Sequence, residues 1–229
     1  MLNEESIWIG NELINLERQG NLSPLLNFGS STGHFRKIDQ PVIYKNIFEP
    51  LEKSGAEVYH LDVKSDEGVD FIGNVFEDEM LFKKIKEKEI KTILCSNLLE
   101  HVPDRKPFFK ILHDLLSNEG RLLITVPNLY PYHADPIDTG YRPTVEEILS
   151  EFPNGKLLKG EILSIDETYL TFLLKRPKLL LIVLIRIFTP FYKFKAWRRI
   201  IGDMPNLTKN FKVACVLIEF EKIATSNSK

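Results

Sequence analysis

Short apolar runs of strand length recur along the chain, each closed by a small, polar or acidic residue and followed by a helical pattern. Residues 25–28 run into Gly29-Ser30-Ser31-Thr32-Gly33, 57–61 end at Asp62, 92–95 at Ser96-Asn97, and 121–126 at Pro127. Residues 70–72, 157–165 and 211–221 are three further strand candidates. Helical spacing of apolar residues falls at 5–19, 42–53, 78–88 and 106–116, with Gly20, Gly55 and Asn118-Glu119-Gly120 as stops. Alternation of this kind predicts an α/β fold, a doubly wound and mostly parallel sheet with helices on both faces. Right-handed crossovers bring the strand C-termini to one edge, and ligands of such sheets bind there. The residues that terminate strands are therefore the ones to question.

Composition narrows the function classes. Thirty Lys+Arg against 32 Asp+Glu leave a net charge of −2 over 229 residues, which argues against a globally basic nucleic-acid binder. Cys95 and Cys215 lie inside apolar runs and read as small core residues, so neither a disulfide framework nor a cysteine zinc site is expected. The first residues, Met1-Leu2-Asn3-Glu4-Glu5-Ser6, lack the basic-then-apolar order of a secretion signal, and a cytoplasmic location is the expectation.

Glycines in the turn after the first strand let backbone approach a ligand closely. The loop lacks the third glycine of a dinucleotide signature and the Lys-Ser/Thr of a phosphate-binding loop. Asp62, ending the second strand, is placed to accept hydrogen bonds from vicinal ribose hydroxyls. Alone each has a plain reading, a tight turn or a helix cap; together, in consecutive strand units, they point to a nucleoside-type ligand.

Leu26-Asn27-Phe28-Gly29-Ser30-Ser31-Thr32-Gly33 resembles the first motif of the class I S-adenosylmethionine-dependent methyltransferases. Ser96-Asn97-Leu98-Leu99-Glu100-His101-Val102-Pro103 is similar to the segment closing their fourth strand, and Asn118 to Pro127 to their turn and fifth strand. The resemblance covers about residues 22–150 and, loosely, the final strand. It implies a Rossmann-like sheet of seven strands, the last antiparallel, with S-adenosylmethionine as cofactor. Its methionine end would lie against Asn27 and the Gly29, Ser30, Ser31 and Gly33 loop, its ribose against Asp62, its adenine near Asn74, and its sulfonium near Asn97 and Leu98. Three positions depart from the usual pattern: Asn27 and Asn74 stand where acids are frequent, and Ser31 where a glycine is usual. The implied domain is single, 1–229, with an N-terminal helix (1–22), a nucleoside-binding core (23–165), a basic apolar insertion or lid (166–208) and a final strand (209–224).

After the fifth strand, residues 127–144 are dense in proline, aromatic and polar side chains, and Thr144 caps a helix. Methyl transfer to oxygen needs a proton acceptor in a closed pocket, and histidine suits that part. His133 is the candidate base, Asp135 or Asp138 its orienting acid, and Tyr130, Tyr141 and Arg142 the candidate substrate contacts. The plain alternative is a structured loop in which the acids cap turns. His133, Asp135 and Asp138 also offer metal-ligand chemistry, but such groups meet by chance in polar loops, and no metal is expected. His101 is assigned to shaping the turn after the fourth strand, with Glu100 as a helix-start acid. The Tyr-His-Ala-Asp-Pro-Ile-Asp run followed by Tyr-Arg-Pro-Thr resembles methyltransferases of bacterial cell-surface glycan assembly, which implies a sugar or glycolipid hydroxyl as acceptor.

Between Glu167 and Asp203 there is no acid, while Lys175, Arg176, Lys178, Arg186, Lys193, Lys195, Arg198 and Arg199 give a formal +8. The uninterrupted apolar run 179–185 is far shorter than the about 20 residues of a membrane span. Cations mixed with Phe188, Phe191, Tyr192, Phe194 and Trp197 suit an element lying on an anionic membrane, which would make the protein peripheral at the inner face. A helical lid over the sheet and a nucleic-acid groove are the other readings of 175–199; no nucleic-acid partner is expected. Two further functions compete with methyl transfer: a methyltransferase-like binding or scaffold protein without catalysis, and a nicotinamide-dependent sugar oxidoreductase, which the absent third glycine disfavours.

Overall fold

The computed structural model describes residues 1–133 and 137–221. After helix α1 (Asn3–Arg18), strand β1 (Leu25–Phe28) leads into a broken helical run over 35–54. There, wide turns at Phe35–Asp39 and Tyr44–Phe48 alternate with α2 (Pro41–Ile43) and α3 (Glu49–Ser54), where one plain helix over 42–53 was predicted. Then come β2 (Val58–Asp62), β3 (Phe71–Ile72), α4 (Glu79–Lys86), β4 (Thr92–Ser96), α5 (Arg105–Leu115) and β5 (Arg121–Leu129). The chain closes with α6 (Val145–Ser150), β6 (Gly155–Thr168), α7 (Tyr169–Leu174), α8 (Pro177–Ile187), α9 (Phe194–Asp203) and β7 (Asn210–Phe220).

The sheet has seven strands in the order β3-β2-β1-β4-β5-β7-β6, parallel except that β7 runs against both neighbours. That is the architecture the strand–helix alternation and the resemblance predict. Residues alternate between faces because successive strand side chains point oppositely. Leu26, Phe28, Ile93, Cys95, Leu122, Ile124 and Val126 meet α4, α5 and α6 on one face. Leu25, Leu94, Leu123, Val213, Cys215 and Leu217 meet α1, the 35–54 run, α7 and α8 on the other. The two cysteines are buried thiols on opposite faces, as the sequence suggested.

Two strands exceed their predicted ends. β5 continues through Pro127 to Leu129, and its register against β7 shifts between those residues. Proline has no N–H to donate, and a bulge is where a sheet tolerates that lack. β6 spans 155–168 and forms an edge, where Lys156, Lys159 and Glu161 deter further strand pairing.

Candidate functional site

The turn after β1 is held by backbone and one buried cation. Gly29 and Ser30 both donate their N–H to the Leu61 carbonyl at 2.9 Å. Gly29 has φ +75°, and a Cβ there would lie 2.7 Å from Leu98 Cδ2, so the cleft wall closes on bare backbone. Ser31, at the position where the family usually has glycine, takes a left-handed φ of +53°. Its N–H donates to Asp62 Oδ2 at 2.7 Å, while Asp62 Oδ1 accepts from Lys64 N–H at 3.0 Å. Arg36 is buried and donates to the carbonyls of Ser30 (3.0 Å), Ser31 (2.7 Å) and Gly68 (2.5 Å). Burial lowers its pKa, while Asp70 and Asp62 oppose the shift. Sequence reasoning missed Arg36; the only signal was a cation three residues past the second glycine.

Two adjoining cavities open at the strand C-termini. The larger, about 580 Å³, has apolar walls from Phe28, Leu61, Val75, Phe76 and Phe108, with Asn74 and Asp62 as polar groups. The smaller, about 280 Å³, is polar and includes Asn27, Ser30, Ser31, Arg36, Lys64 and Asn97. Gly29, Asp62, Leu98 and His101 line both. The structure thus brings together all but one of the residues expected around the cofactor. The exception is Gly33, which lines neither cavity and donates its N–H to the Glu67 carbonyl at 2.8 Å, a packing part.

Among the described residues Asp62 is the one carboxylate in the wall of the smaller cavity, against Arg36 and Lys64. Asn27 is buried with its amide nitrogen 3.1 Å from His60 Nδ1. Burial, with Arg36 and Lys37, pushes the His60 pKa down to about 3, so this pair is neutral. Asn74 Oδ1 accepts from the Phe76 N–H at 3.1 Å, which leaves its NH2 as a donor. Asn97 Nδ2 donates to Glu5 Oε1 at 2.7 Å, and Thr125 Oγ1 donates to the same oxygen at 2.6 Å. Glu5 is buried; α1, read from the sequence only as an amphipathic helix, therefore supplies an acid beneath the β4 turn.

The histidines are arranged differently from the expectation. His101, assigned above to the turn, lies in the wall of both cavities, whereas His133 lines neither. His101 Nδ1 contacts the Ile137 carbonyl, which can only accept, so that nitrogen is the donor. Glu100 Oε1 stands 3.8 Å from Nε2. Glu100 is in the first turn of a short helix, Leu99–His101, as expected, and is buried; Oε2 has no hydrogen-bond partner among the described residues. Burial raises the Glu100 pKa. The His133 ring meets His101 edge-on at 5.3 Å and Tyr130 at 5.5 Å. Burial lowers the His133 pKa although Asp138 opposes it, with Oδ2 3.4 Å from Nδ1. One donor atom each from Glu100, His101 and His133 lies within 4.8 Å of the others, a spacing open to a shared proton or a cation.

Asp138 does more than orient His133. Its buried carboxylate accepts from Arg142 Nη2 (2.7 Å) and Nη1 (3.1 Å) and from the N–H groups of His133 (3.0 Å) and Gly140 (2.8 Å). Desolvation would raise its pKa, but Arg142 and the two amides prevail and hold it at about 2. Arg142 also donates to the Tyr130 and Tyr141 carbonyls at 3.3 and 3.0 Å. Its guanidinium is committed to the loop, which corrects its expected part as a substrate contact. Tyr141 lies under the Arg105 guanidinium at 4.1 Å, and Tyr130 packs on Phe211 at 4.6 Å; neither lines the two cavities. Asp135 lies outside the described residues.

No protein-family model matches the sequence, and no curated protein is similar to it. Solved structures are similar in fold. Coclaurine N-methyltransferase bound to N-methylheliamine and SAH superposes with a TM-score of 0.54 at 14% identity, covering 95% of this chain and 71% of that one. A putative sarcosine dimethylglycine methyltransferase from Galdieria sulphuraria gives a TM-score of 0.47 at 14% identity, over 95% of this chain and 86% of that one. The chain has the Rossmann-like fold of the S-adenosylmethionine-dependent methyltransferases.

Proposed function

We propose that the chain is an S-adenosylmethionine-dependent O-methyltransferase whose acceptor is a hydroxyl of a sugar or lipid-linked sugar. The observation that carries the reading is the pair of joined cavities at the C-terminal edge of β1, β2 and β4. An apolar compartment suits a flat purine, a polar one suits an amino-acid tail, and Asp62 stands where they meet. Gly29 supports the fit, since any side chain there would fill the wall. Asn74 and the apolar walls would hold the adenine, Asp62 the ribose, Asn27 and Gly29 to Ser31 the methionine end, and Leu98 the sulfonium end. Bound there, the cofactor supplies an electrophilic methyl group.

The chain's own residues complete the chemistry. His101 lines both cavities, and in this reading its imidazole takes the acceptor's proton. Glu100, held beside it at 3.8 Å, stabilises the imidazolium that results. The sugar hydroxyl is favoured by the aromatic and polar run 127–144, which meets His101 at the Ile137 carbonyl.

A second reading, a binding protein without catalysis, is favoured by one observation: the neutral Asn27–His60 pair stands where the family usually offers a carboxylate. Titration calorimetry with S-adenosylmethionine and S-adenosylhomocysteine tests the first reading, which expects heat of binding from both. No binding of either would refute it.

A further inference from the structure

The α8–α9 hairpin presents an apolar surface that the protein itself leaves uncovered. Leu179, Leu180, Val183 and Ile187 turn one side of α8 into the second core cluster. The opposite side of such a helix is ordinarily polar. Here it carries Leu181, Ile182, Leu184 and Ile185, all exposed. Beyond the helix, where Pro190 breaks the run, Phe188 is 82% and Phe191 100% exposed, and Tyr192 and Phe194 continue the surface. Contiguous apolar surface of this size marks a docking site.

Charge selects the occupant. Lys178, Lys193, Lys195 and Arg198 are exposed around the apolar tip, with no acid between Glu167 and Asp203. Of the eight cations in the stretch, only Lys175 has a carboxylate partner among the described residues, Glu167 at 2.9 Å. No described helix is long and apolar enough to cross a membrane. Protruding aromatics ringed by unopposed cations fit a surface that is apolar a few ångströms down and anionic on top.

We infer that the α8–α9 hairpin docks on an anionic lipid bilayer, with Phe188, Phe191 and Tyr192 at the headgroup boundary and the cations on the headgroups. The hairpin is tied to the site loop. Trp197 Nε1 donates to the Ile187 carbonyl at 3.1 Å, joining α9 to α8. The Arg199 guanidinium lies 3.7 Å from the Tyr132 ring centroid. Tyr132 precedes His133, whose ring touches His101 in the cavity wall. A docked hairpin therefore holds this loop close to the bilayer surface, where a lipid-linked acceptor would be presented. Docking itself does not depend on methyl transfer; only the presentation of an acceptor rests on that reading.

Co-sedimentation of the whole chain with vesicles tests the inference without cofactor or acceptor. Vesicles of phosphatidylcholine with an equal amount of phosphatidylglycerol are expected to pull the protein down, and phosphatidylcholine vesicles to leave it in solution. The Lys195→Glu/Arg198→Glu double variant should weaken partitioning by about 30-fold or more, since each cation counts for roughly fivefold near such a surface. Phe188→Ser/Phe191→Ser should weaken it comparably, with the thermal midpoint unchanged because these side chains touch solvent. Wild-type protein left in solution with the anionic vesicles would overturn the inference, as would variants that sediment like wild type. A concentration-dependent dimer abolished by Phe191→Ser, with no vesicle binding, would also overturn it and assign the surface to a second copy.

Discussion

Asp138 gathers four hydrogen bonds into a carboxylate that water barely reaches, and they tie His133, Gly140 and Arg142 to it. Removing one partner of a buried ion pair strands the other, so Asp138→Ala should cost about 3–5 kcal/mol in urea denaturation. Its pH signature has a definite sign. With a folded pKa of about 2 against about 3.9 unfolded, the carboxylate contributes stability above pH about 4 and loses it as the pH falls toward 2. Denaturation between pH 6 and pH 3 should show this component in the wild type and not in Asp138→Asn. The histidines separate by position. His101→Ala should lower turnover by about 100-fold or more while cofactor affinity holds, because this imidazole lines both cavities. His133→Ala should lose less, since its ring stands behind His101; equal losses would give the two rings one shared proton. The pairing of His133 with Asp138 was legible in the sequence; the place of His101 in the cavity wall was not. Glu100-His101 and His133 are 32 residues apart, and no spacing rule says which ring reaches a wall.

At the scale of elements, the strands were legible and one helical region only in part. Residues 92–95 and 122–126 announce themselves because every member is apolar or small, as a strand covered on both faces requires. The 35–54 run showed helical spacing over 42–53 but no sign of the two wide turns, and Pro41 starts α2. α1 packs so closely on this run that a Cβ on Gly10 would sit 2.0 Å from the Asn46 carbonyl oxygen. Gly10→Ala must push the two elements apart, with an expected cost of about 1–3 kcal/mol or more in the same denaturation assay. The same shift would tilt Glu5 away from Asn97 and Thr125, so the variant should also bind cofactor more weakly by calorimetry.

For the whole molecule, the cleft and the core are coupled through mass action. A ligand that fits only the folded cleft stabilises the fold by about 2.7 kcal/mol at 100 times its dissociation constant. For a chain of 229 residues that corresponds to a rise in melting midpoint of about 5–10 °C with S-adenosylhomocysteine, and no rise would count against the proposed cofactor. The reversal of β7 has its own consequence at this scale. Because β7 runs opposite to β5 and β6, those two strands finish on the same side as β1, β2 and β4. The intervening stretch, 169–209, leaves and rejoins the sheet beside the cleft mouth. Evolution could lengthen, shorten or replace those forty-odd residues and thereby change what meets the opening, while every strand that builds the floor stayed in register.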